Sequence, residues 1–156
     1  MATNYGKKWE LKVREDFESI PDISIDRIYD TLNGYKSISN ISDFIVYMYP
    51  NIYYTEAKST RGNTFPLDRL TQYDKLITKV GITGVRSGVI LWFIDHKKVL
   101  YVPVATFKQL KDDGKKSVNI KMLDDNTYKV YLIPSITKRT FPTCDYTYLK
   151  HLQEGE

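Results

Sequence analysis

Apolar residues near the start of the chain recur at helical spacing: Tyr5, Trp9, Val13 and Phe17, with Ile20 three further on. That stripe predicts a helix from about Tyr5 to Ile20, stopped by Pro21. In the following stretch, Ile23, Ile25 and Tyr29 settle no period, so strand and helix both stay open up to the Asn33-Gly34 turn. Phe44 to Tyr49 and Ile52 to Lys58 are dense in β-branched and aromatic residues and predict two strands, joined at Pro50-Asn51 as an antiparallel hairpin. Leu67, Leu70, Tyr73, Ile77 and Val80 return to spacings of three and four, which predicts a second helix from Phe65 to Val80. Pro66 suits its first turn, and Gly81 follows its end. Val89 to Ile94 and Val99 to Val104 predict a second hairpin around Asp95-His96-Lys97-Lys98. A short helix near Ala105 to Lys111, a basic loop and a last strand from Tyr128 to Ile133 complete the order. This succession predicts an α/β fold, a mixed sheet with a few helices packed on it.

Composition narrows the class. The chain has 156 residues, 42% of them hydrophobic, enough for one domain spanning 1–156 with its own core. No repeat, low-complexity tract or long Pro/Gly/Ser-rich linker divides it. Cys144 is the only cysteine, which excludes an internal disulfide and a cysteine-based zinc site. There is no apolar run of membrane-spanning length, and the N-terminus is too polar for a signal peptide, so a soluble, cytoplasmic protein is expected. The formal net charge of +4 suits a polyanionic partner without demonstrating one. His96 in a hairpin turn and His151 near the end lack partners at metal spacing and read as surface residues. The 13 tyrosines, Tyr47, Tyr49, Tyr53 and Tyr54 among them, are accounted for by strand packing.

One polar pattern carries chemistry. Asp43 enters the first predicted strand of the Phe44–Lys58 hairpin, and Glu56-Ala57-Lys58 closes the second. Glu56 and Lys58 are two apart and leave the same face of a strand. Two carboxylates and an ammonium at one sheet edge can hold a hard divalent cation, activate a water and offset the charge that develops on a phosphodiester. A solvated strand end contains the same residue types, and the pattern alone favours that plainer alternative.

The wider set of residues changes that balance. Gly6 and Glu10 on the first helix, Asp43-Phe44, Glu56-Ala57-Lys58 with Thr60, Phe65-Pro66-Leu67, Gln72 and Gly114-Lys115-Lys116-Ser117-Val118 follow one another in order. With them the chain resembles the RecU-like Holliday junction resolvases, a branch of the PD-(D/E)XK nucleases. The most specific block runs from Glu56 to Leu67.

The resemblance implies a restriction-endonuclease-like fold and Mg²⁺-dependent cutting of branched DNA, with Mn²⁺ able to substitute. It implies that Asp43, Glu56 and the Ala57 carbonyl hold the metal and that Lys58 serves the attacking water. Glu10 would shape the metal site, and Gln72 would face it from the second helix. Lys7, Lys8, Lys36, Thr60, Arg61, Arg69, Lys115 and Lys116 would meet DNA, and a homodimer would match the two-fold symmetry of a four-way junction. The family's stalk before the metal-binding aspartate is reduced here to a short polar stretch, about Asp30 to Asn40, with Asn33-Gly34-Tyr35-Lys36 at its tip. That trimming suits a phage-type member, acting in the bacterial host's cytoplasm. Another PD-(D/E)XK repair or restriction-type endonuclease, and a DNA-binding recombination accessory that does not cut, remain as alternatives.

Overall fold

The computed structural model describes residues 4–28 and 40–152. Lys36 and the tip at Asn33-Gly34-Tyr35-Lys36 lie outside them. The chain opens with helix α1 (Tyr5–Glu18). The Asn4 side chain caps it by accepting from the Lys7 backbone N–H at 3.1 Å. Strand β1 (Ser24–Arg27) comes next, then β2 (Phe44–Met48) and β3 (Asn51–Thr60). After β4 (Thr64–Pro66) come a 3-10 turn, the four-residue helix α2 (Tyr73–Leu76) and β5 (Val85–Phe93). Strand β6 (Lys98–Pro103) leads into α3 (Val104–Asp112). Short strands finish the chain: β7 (Ser117–Asn119), β8 (Tyr131–Ile133), β9 (Ser135–Thr137) and β10 (Pro142–Cys144).

Six strands form the central sheet in the order β1-β2-β3-β5-β6-β8. Only β3 and β5 run parallel, and the other neighbours are antiparallel. The connection between β3 and β5 must cross the sheet, and it carries β4 and α2 over one face. The mixed sheet flanked by helices that the sequence predicts is therefore present.

A hydrophobic core covers each face. Trp9, Val13 and Phe17 of α1 pack on Phe44, Val46, Met48, Tyr53, Ala57, Ile90 and Trp92. On the other face Val104, Phe107 and Leu110 of α3 join Phe65, Leu67, Leu70 and Leu76 against Val89, Leu91, Phe93, Leu100 and Val102. β5 alternates between the two cores, which explains its nearly unbroken apolar run. Asp16, buried on α1, is satisfied by Lys12 at 2.6 Å and by the Cys144 backbone N–H at 2.9 Å, which ties the helix to β10. Two-stranded pairings of β9 with β10 and of β4 with β7 lie beside the main sheet.

Gly88 packs directly against a ring of the α1-side core. A Cβ there would meet the Tyr101 ring at 2.4 Å, and that ring is itself buried. Gly88→Ala is expected to cost about 1–3 kcal/mol through overpacking. Denaturant unfolding measures it as a lowered midpoint at unchanged slope. An unchanged midpoint would mean that the tyrosine moves aside freely.

The predicted helix from Phe65 to Val80 is corrected. Phe65 lies in β4 opposite Val118 of β7, Leu67–Arg69 is a 3-10 turn, and α-helix is confined to Tyr73–Leu76. Of the predicted stripe only Leu67 and Leu70 are buried, Tyr73 and Ile77 are half-buried, and Leu76, which the stripe left out, is fully buried, because short turns deliver these residues to the sheet. Val80, the last residue of the predicted stripe, is 39% exposed. The ambiguous stretch after Pro21 contributes β1, paired with β2 from Ser24↔Tyr47 to Arg27↔Phe44. The predicted turn of the second hairpin holds a 3-10 turn, Ile94–His96, with Lys97 in the left-handed region at φ 53°.

Candidate active site

The β2–β3 ladder ends with Phe44 opposite Thr55. Continued by one step, the same register sets Asp43 across from Glu56. Asp43 has left the ladder, and the two residues complete the pairing with their side chains. The Asp43 backbone N–H donates to Glu56 Oε2 at 2.9 Å, and the Ala57 N–H donates to Asp43 Oδ2 at 2.9 Å. Each carboxylate is thus locked by a backbone donor of the opposite strand. One oxygen of each, Asp43 Oδ1 and Glu56 Oε1, is left to face charged groups.

Strand alternation separates the remaining roles. Ala57 points into the core beneath α1, so Glu56 and Lys58 emerge on the opposite face. Lys58 Nζ lies 3.6 Å from Glu56 Oε1. Glu56 is only 2% exposed. Burial, reinforced by the negative charge of Asp43 and opposed by Lys58, raises its pKa to about 8. Of these causes only the repulsion from Asp43 would be relieved by a cation placed between the two carboxylates.

Arg27, at the end of β1, is a site residue that the sequence reading missed. Its Nη2 donates to Glu10 Oε2 at 2.8 Å, and its Nη1 lies 3.5 Å from Asp43 Oδ1. Glu10, one step off the buried α1 stripe at Trp9, therefore reaches the acidic pair through an arginine. The signal was hidden because Arg27 sits in the stretch whose period was unresolved. No chemistry-bearing motif surrounds it.

The other candidates are placed as follows. Gln72 stands at the N-cap position just before α2 rather than within a helix, makes no side-chain cap there, and its side-chain oxygen accepts from the Thr71 hydroxyl at 3.0 Å. Thr60 is buried and donates to the carbonyls of Arg61 and Thr64, closing the loop after β3. Arg61 pairs with Asp95 at 2.8 Å and lies over the Tyr5 ring at 5.2 Å. Arg69 donates to the Ser59 carbonyl at 3.0 Å and covers the Phe65 ring. Lys7, Lys8, Lys115 and Lys116 are exposed. Pairing of Pro66 with Ser117, with the Leu67 N–H donating to the Lys116 carbonyl at 3.0 Å, sets Lys115-Lys116 beside the loop that carries Arg69. Two motifs about fifty residues apart in sequence meet there. His96 is exposed and hydrogen-bonds Asn63 at 2.7 Å, as expected of a turn histidine.

The donor chemistry fits a hard cation. Among the described residues, no three His, Cys, Asp or Glu side chains gather into a ligand set. Two carboxylates, each with one oxygen held only by a long ion pair of 3.5–3.6 Å, nonetheless suit Mg²⁺, which is commonly held by one or two protein carboxylates while waters and substrate phosphate fill its remaining positions.

No protein-family model matches the chain, and no curated protein does. Among solved structures it is similar to that of Hjc from Archaeoglobus fulgidus, a Holliday junction resolvase from an archaeal hyperthermophile. The likeness covers 67% of this chain and 78% of that one at 13% identity, with a TM-score of 0.45. No helix among the described residues is long and apolar enough to cross a membrane.

Proposed function

We propose that this chain is a metal-dependent endonuclease of restriction-endonuclease-like fold that cuts branched DNA, resolving four-way junctions in the manner of the RecU-like enzymes. The observation that carries the reading is the Asp43–Glu56 pair, locked across two strands by reciprocal backbone bonds with Lys58 beside it. Asp43 and Glu56, with the Ala57 carbonyl, would hold Mg²⁺ or Mn²⁺. When bound, the ion would polarise the phosphodiester and acidify a water. The backbone bonds keep both carboxylates oriented, so little reorganisation is left for the reaction. Lys58 supplies a charge on the face where the phosphate would approach. Arg69, Lys115 and Lys116 offer backbone contacts on one side of the site, and Lys7 and Lys8 on α1 offer others. A homodimer would supply the two sites that symmetric paired nicks require.

The direct test compares a four-way junction with linear duplex, with and without Mg²⁺. Paired nicks on the junction that need the metal support the proposal. Equal cutting of both substrates favours a general endonuclease, and binding without cutting favours the recombination accessory. Lys58→Ala is expected to lower the single-turnover rate by about 10²-fold while junction affinity changes little, because its charge acts on the transition state. Comparable losses in rate and affinity would assign Lys58 to binding instead.

The cations around the site make a further prediction. Replacing Lys115 and Lys116 by Ala should reduce the slope of log K against log salt by about one unit for each phosphate that is no longer neutralised. Arg61→Ala should change that slope less, because Arg61 is already paired with Asp95. The reverse ranking in a salt titration of junction binding would move the DNA path to the β5–β6 hairpin side.

A further inference from the structure

Arg27 is held on several sides, its guanidinium also lying over the Phe44 ring at 5.5 Å. Its Nη1 donates to the carbonyls of Ile28 at 2.7 Å and Asp43 at 3.1 Å and faces Asp43 Oδ1, while its Nη2 is bound by Glu10. The other oxygen of Asp43 is taken by the Ala57 N–H. Oδ1 is therefore the oxygen that both Arg27 and a cation on Asp43 would need. A guanidinium does not lose its proton, so its charge leaves the carboxylate only by moving. Room exists beside it: a cavity of about 230 Å³ is lined by Lys7, Glu10, Leu11, Arg14, Arg27 and Phe44.

We propose that Arg27 is the built-in counter-cation of the acidic pair, that a divalent cation displaces it from Asp43 Oδ1, and that the displaced fork, still held by Glu10, takes a DNA phosphate. This rests on the nuclease reading above. An arginine fork matches two phosphate oxygens, so the displaced group has a ready anionic partner. Metal and DNA then strengthen each other's binding, and by linkage the effect is the same in either order. Glu10 is here a positioning residue that acts through Arg27.

The test measures Mn²⁺ affinity by calorimetry without DNA, and four-way junction affinity with and without Ca²⁺, which supports binding with looser coordination. Arg27→Gln is expected to bind Mn²⁺ roughly tenfold more tightly, since a competing charge a few ångströms away is gone. It should also lose most of the Ca²⁺-dependent gain in junction affinity. Arg27→Lys keeps the charge and should keep the native Mn²⁺ affinity. Loss of any nearby positive charge favours a cation, so the Ca²⁺-dependent gain separates the proposal from a purely structural arginine: an intact gain in Arg27→Gln, or unchanged or weaker Mn²⁺ binding there, overturns it. Should Arg27→Gln fail to fold, Glu10→Gln decides: a reduced Ca²⁺-dependent gain supports the proposal and an intact gain overturns it. If the native chain and Asp43→Asn both bind no Mn²⁺, it is the nuclease reading that fails.

Discussion

Glu56→Gln is expected to abolish cleavage and at the same time make the protein more stable above neutral pH. The buried Glu56 carboxyl has a folded pKa raised from 4.5 to about 8 by burial and by Asp43. The folded state therefore holds this proton more tightly than the unfolded chain does. Stability from the bound proton is complete below about pH 4.5 and is lost as pH rises towards 8. Glutamine carries no charge and retains an oxygen for the Asp43 N–H. At pH 8 the variant should be the more stable of the two, and its unfolding midpoint should fall less between pH 5 and 8 than the native chain's. Mg²⁺ should raise the native midpoint at pH 8 and do little at pH 5, because a protonated Glu56 is a poor ligand. Thermal unfolding across that range decides the matter. A variant less stable than the native chain at pH 8, with a parallel pH profile, would show that Glu56 is ionised at little cost. Stability conceded at a working carboxylate is a common trade at active sites.

Asp43 has the second large expected effect, and two substitutions separate its chemistry from its structural role. Asp43→Asn should reduce cleavage by about 10³-fold or more, since an amide is a poor ligand for a hard cation. It keeps an oxygen for the Ala57 N–H, so its fold should be close to native. Asp43→Ala should lose cleavage equally and also leave that N–H without a partner at a buried position. The further cost is about 1–3 kcal/mol, read as a lowered denaturant midpoint relative to Asp43→Asn. Junction affinity should persist or tighten in Asp43→Asn, because a carboxylate that repels phosphate has been neutralised. Robust Mg²⁺-dependent cutting by Asp43→Asn would remove Asp43 from the site.

Particular elements show how far a local pattern reaches. The four-residue spacing from Tyr5 to Phe17 was enough for α1, because one face of that helix meets one continuous core. The β2–β3 hairpin and the β5–β6 hairpin were legible for the same reason: their strands are long, adjacent in sequence and dense in strand-forming side chains. Phe65 to Val80 misled because spacings of three and four also arise when short turns feed residues to a sheet. What makes Phe65 a strand residue is Val118, more than fifty positions away, and no local window contains that pairing. β8 falls inside the strand predicted from Tyr128 to Ile133, whereas the three-residue strands β7, β9 and β10 are too short for any period to register.

The acidic site divides in the same way. The residue types and the two-residue step from Glu56 to Lys58 were plain in the sequence, because a strand's alternation is a local property. The register that sets Asp43 opposite Glu56, the burial that pushes Glu56 to about 8, and the arrival of Arg27 between Glu10 and Asp43 belong to the tertiary structure alone. Each depends on which segments meet across the sheet, and a charge acquires its chemistry from what surrounds it in space.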